Sequence, residues 1–86
     1  MQSFTKLIAV DDHTHEFFFN RIFAANGIKY HVSVFDNNRQ PFFFNMEQVN
    51  SDFKIINAPK LPEWIMAQEK QLQNAIFESL IEESTD

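Results

Sequence analysis

The chain contains no cysteine in its 86 residues, so disulfide staples, thiolate metal sites and cysteine nucleophiles are excluded. Its one glycine, Gly27, is too few for a phosphate-cradling loop, and neither HExxH nor GxSxG occurs. Three prolines and no Ser-, Gly- or Gln-rich tract leave no linker and no low-complexity segment. Near the start the only apolar run is Leu7 to Val10, too short for a signal-peptide core and far short of a membrane span. Positive charge is scarce, and the formal net charge of −5 disfavours phosphate backbones and anionic membrane surfaces. The expectation is one soluble cytoplasmic domain over residues 1–86, with no membrane partner and no cofactor.

Against these absences stand eleven phenylalanines. A buried aromatic ring removes roughly 150 to 250 Å² from water, so a chain this short substitutes ring area for core size. Asn26-Gly27 is the clearest turn signal, because a two-residue hairpin loop favours positive φ at both central positions. With these two residues as the loop, Ala25 pairs with Ile28, Phe23 with Tyr30, Arg21 with Val32 and Phe19 with Val34. Side chains then sort by alternation. Phe17, Phe19, Phe23, Ile28, Tyr30, Val32 and Val34 share a core face on which Arg21 is the only intruder.

At Asp36-Asn37-Asn38-Arg39 a three-residue loop, Asn37 to Arg39, sets Val34 against Phe42, Val32 against Phe44 and Tyr30 against Met46. A two-residue loop would put Asn45 opposite Tyr30, so alternation selects the longer one. A polar turn at Asn50-Ser51-Asp52 leads to a short strand with Phe53 and Ile55 inward and Lys54 outward. From Leu61 the period changes, with Leu61, Ile65, Leu72, Ile76 and Leu80 on one stripe and Glu63, Lys70, Gln73 and Glu78 facing away. Pro62 suits a helix start, while Glu82 and Glu83 oppose the dipole at the other end, which predicts a frayed last turn. The fold class that follows is α+β, an antiparallel four- or five-stranded β-meander over residues 14–57. One amphipathic helix, 61–82, packs on its Phe face. Residues 1–12 form an added strand or an arm, with strand preferred.

Several constellations invite a functional reading. Asp11, His13 and His15, beside Asp12 and Glu16, carry donors suited to a borderline divalent metal, but in a turn such side chains diverge, and a small metal-dependent enzyme is the weakest alternative. His31, expected on the outer face, lacks the positioned partner that acid–base catalysis needs. Pro59 to Trp64 reads as a rigid connector that lays the indole over the end of the sheet, in preference to an extended ligand for a peptide groove.

The outer sheet face is more informative. Phe18, Ile22, His31, Phe35, Phe43 and Ile56 fall there, which is more apolar surface than a monomer normally leaves in water. Residues 1–12 folding back, a second copy, or another protein or apolar ligand would each cover it. The expected function is a non-enzymatic binding or assembly module using this face for a homodimer or protein-partner contact. The alternative is single-stranded nucleic-acid binding, with bases stacked on the rings and Lys29, Arg39 and Lys54 on phosphates. In element order alone, a meander followed by one helix resembles the repeat unit of PUR-type single-strand-binding proteins, which implies that same base-stacking use of the face.

Overall fold

Alternation of ring-bearing and polar residues dictates a sheet with one dry face. The computed structural model, which describes residues 3–25 and 27–84, has this architecture. Five antiparallel strands, β1 (Ser3–Val10), β2 (His13–Ala24), β3 (Gly27–Phe35), β4 (Pro41–Val49) and β5 (Asp52–Ile56), stand side by side in chain order. The sheet curls around a C-terminal helical segment that contacts both edge strands, β1 and β5. Residues 3–10 are therefore a fifth strand and not a lid: β1 pairs along β2 from Ser3 opposite Asn20 to Val10 opposite His13.

The β3–β4 hairpin has the expected register, with Val34 opposite Phe42, Val32 opposite Phe44 and Tyr30 opposite Met46. Its three-residue loop closes because Arg39 takes φ 63°, which lets Asp36 N donate to Gln40 O at 3.0 Å. Asp36 Oδ1 accepts the backbone N–H groups of Asn38 and Gln40, each at 2.8 Å, so the side chain completes the turn. At β4–β5 the loop is only Asn50-Ser51, with Val49 opposite Asp52, so Asp52 belongs to the strand.

The first hairpin departs from expectation. Ala24 pairs with Gly27, Phe23 with Ile28, Arg21 with Tyr30 and Phe19 with Val32, so the loop is residues 25–26; Asn26 itself lies outside the described residues. Each pair has slipped by two positions, which keeps every side chain on its expected face. The slip gives Arg21 polar company, since its Nε now donates to Tyr30 Oη at 3.2 Å. Phe23, expected in the core, is exposed, one inward position beyond the point where Arg21 meets the helix at Glu83.

The helix is also not continuous. A short α1 (Glu63–Met66) precedes α2 (Glu69–Ser84), with Pro62 as the N-cap of α1. Between them Gln68 N donates to Ile65 O, a tighter step than an α-helix allows, while Gln68 Nε2 takes the displaced Trp64 carbonyl at 3.2 Å. The redirected α2 lays Leu72, Ala75 and Ile76 into a core with Phe17, Phe19, Tyr30, Val32, Met46 and Phe53. Rings meet edge to face around fully buried Tyr30, with Phe53 at 5.7 Å and Phe19 at 6.4 Å between centroids. Gln73 does not face away: it is buried, and its Oε1 accepts the Phe53 N–H at 2.8 Å. The acidic end of α2 carries no basic residue of its own, but Glu83 pairs with Arg21 from β2. Among the described residues, no helix is long and apolar enough to cross a membrane.

Candidate functional site

Because β1 lies in the sheet, nothing among the described residues overlies the outer face. Phe18 is 38% exposed, Ile22 43%, Phe35 52% and Phe43 61%, whereas Ile56 and His31 are half-buried. Register fixes how these side chains stand to one another. Thr5, Phe18, Ser33 and Phe43 form one cross-strand row, so two rings flank a small polar residue across three strands. The adjacent row runs Ser3, Asn20, His31, Asn45 and Ile56. His31 links the two rows, stacking on Phe43 with centroids 5.8 Å apart and planes 15° apart while its Nδ1 lies 3.1 Å from Asn45 Oδ1.

The electrostatics of this face differ from those of the whole chain. Lys29 and Lys54 stand there among Glu16, Glu47 and Asp52, two positive against three negative, so the face holds −1 of the total −5. Lys29 Nζ lies 3.6 Å from Glu47 Oε2, and Glu47 is in turn directly opposite Lys54. Both lysines are thus set beside a carboxylate. Arg39 occupies the β3–β4 loop, at the other end of these strands, so the three candidate phosphate contacts do not line one track.

Of the metal candidates, His13 and His15, two residues apart, fall on the same side of β2. His15 points inward and is buried, its ring centroid 4.5 Å from that of Trp64 and its Nδ1 donating to the Phe35 carbonyl at 3.1 Å. Asp11, at φ 56°, and exposed His13 sit at the β1–β2 turn. They share with His15, Asp36 and Trp64 a cleft of about 190 Å³. Among the described residues, no three histidines or carboxylates converge as metal ligands.

Sequence reasoning missed two polar features. Arg21 is buried between Tyr30 and Glu83, and its guanidinium carbon stands 5.8 Å from the Phe23 and Tyr30 ring centroids. An arginine at an inward strand position was the available signal. The second is the covering of the β5 edge, where Phe53 N–H and Ile55 N–H donate to Gln73 and Glu69 of α2 at 2.8 and 2.9 Å. No family model, curated protein or solved structure matches this chain, so the site is read from its own geometry.

Proposed function

We propose that this protein is an assembly module, acting by binding and not by catalysis, whose outer sheet face packs against the same face of a second copy. The observation that carries the reading is the row Phe18–Ser33–Phe43, with Phe35 in the next row on one side and Ile22 two rows away on the other, the four apolar side chains exposed around half-buried Ser33. Two such faces stack about 10 Å apart with their strands nearly aligned, each ring entering the space over a small neighbour such as Ser33. A face this close to neutral can meet its copy without bringing together most of the charge that keeps the chains apart. The same balance disfavours base stacking, since phosphates would meet lysines already set beside Glu47.

Light scattering coupled to size exclusion, over a range of protein concentrations, tests the reading. Phe35→Asp and Phe43→Asp should each lower the mass-average of the native protein while leaving its circular dichroism unchanged. A mass indifferent to both substitutions overturns the face contact. Binding of a fluorescent single-stranded oligonucleotide that disappears in Lys29→Glu or Lys54→Glu would replace it with the nucleic-acid reading.

A further inference from the structure

The two edges of the sheet are treated differently. In a two-residue antiparallel hairpin the closing pair exchanges both backbone hydrogen bonds, and bonded pairs then alternate along the ladder. Counting from Val49 opposite Asp52, this points the N–H groups of Phe53 and Ile55 away from β4, where Gln73 and Glu69 accept them. Counting from Val10 opposite His13, it points the N–H and C=O groups of Thr5, Leu7 and Ala9 away from β2. That edge carries no proline, and Thr5, Leu7 and Ala9 hold no charge; its one blunting device is the inward-pointing Lys6, whose ammonium is taken up by Glu78 of α2 at 3.3 Å. A groove of about 200 Å³ between β1 and α2, lined by Phe4, Thr5, Lys6, Ala75 and Glu78, borders it.

We infer that β1 is a strand-addition edge whose occupant is β1 of a second copy, paired antiparallel about a two-fold axis at Leu7. The strand's own sequence supports this occupant. Outward-pointing residues must face outward-pointing residues, which leaves two registers of greatest overlap. One sets Lys6 directly against the partner's Lys6, a like-charge pair that destabilises a sheet. The other sets Leu7 against Leu7, Lys6 against Ile8, Thr5 against Ala9 and Phe4 against Val10. In that register no like charges meet: Lys6 faces Ile8, the remaining pairs are uncharged, and Leu7, 63% exposed in the single chain, lies at the centre. This contact is separate from the outer-face contact and does not depend on it.

The test uses the full chain carrying Phe43→Asp, so that the face contact is disabled, together with a single introduced cysteine. Since the natural chain has none, any disulfide reports one position. Across the axis a hydrogen-bonded pair places Cα atoms about 5.5 Å apart, within disulfide reach. Under copper-catalysed air oxidation, Leu7→Cys should therefore cross-link on the order of tenfold faster than Lys54→Cys, a surface position on the far side of the sheet, because pairing raises the effective concentration. Leu7→Lys in the same background should hold the chain monomeric at every concentration and leave the Leu7-flanking amides open to exchange. Equal cross-linking at the two positions overturns the edge pair. A Leu7→Cys dimer in a chain whose mass never responded to Phe43→Asp would keep the edge pair and remove the face contact.

Discussion

Gln73 reaches from the middle of α2 to accept the backbone N–H of Phe53 at 2.8 Å, which makes a helix side chain the outer neighbour of the last strand. Replacing it leaves a buried donor without an acceptor, a cost of about 1 to 3 kcal/mol. Gln73→Ala should lower the unfolding free energy measured in urea by that amount. It should also speed exchange of the Phe53 amide more than that of Ile55, which keeps Glu69. Equal protection of Phe53 in both proteins would contradict the assignment.

Arg21 and Glu83 make a second such tie, between β2 and the last turn of α2. Glu83→Ala strands a guanidinium that is only 6% exposed, and about 2 kcal/mol of stability should be lost, less than for a fully dry pair because Glu83 is 32% exposed. Arg21→Met with Glu83→Ala removes both charges and should be the more stable of the two proteins. Denaturant unfolding of the single and double variants gives the coupling directly.

Phe42, Phe43 and Phe44 are consecutive but should respond unequally to alanine. Phe44 lies in the core and should lose about 3 to 5 kcal/mol, whereas exposed Phe43 should lose less than about 1 kcal/mol from the monomer. Half-buried Phe42, edge-on to Trp64 at 6.4 Å, should fall between them. Chemical denaturation at low protein concentration separates the three.

Arg39 holds a left-handed conformation that costs a side chain about 1 kcal/mol relative to glycine. Arg39→Gly should raise the melting temperature. Asp36→Ala, which frees the two N–H groups that its carboxylate satisfies, should lower the melting temperature, at a comparable cost in free energy.

The sheet was legible wherever alternation could decide. Only a three-residue loop after Asp36 keeps Phe42, Phe44 and Met46 on the dry face, and that loop is the one formed. Alternation is blind to a two-residue slip, however, because loops at residues 25–26 and 26–27 give identical faces; choosing between them needed the Arg21–Tyr30 contact. The break at Ala67-Gln68 could not be seen either, since both residues favour helix and the turn is set by docking Trp64 on His15. Lys6 hid the pattern of β1 by occupying an inward position at an edge, where Glu78 of α2 lies 3.3 Å away. For the candidate site, alternation found the exposed rings Phe18, Phe35 and Phe43, whereas in the apparent ligand cluster His15 is buried against Trp64 and bonded to the Phe35 carbonyl, and no three donors converge among the described residues.

The lone tryptophan lies on the short helix between sheet and α2, in contact with His15 and edge-on to Phe17 and Phe42. The chain therefore contains its own optical gauge. Indole emission depends on contact with imidazole and on access of water, so detachment of α1 from the end of the sheet registers as a change in intensity and wavelength without any dye. The partners of this ring, His15, Phe17 and Phe42, all stand on the inner side of the sheet, across it from the outer face. The same signal would thus follow the closing of the fold while remaining silent to assembly through the outer face, which lets the two processes be timed separately in one cuvette.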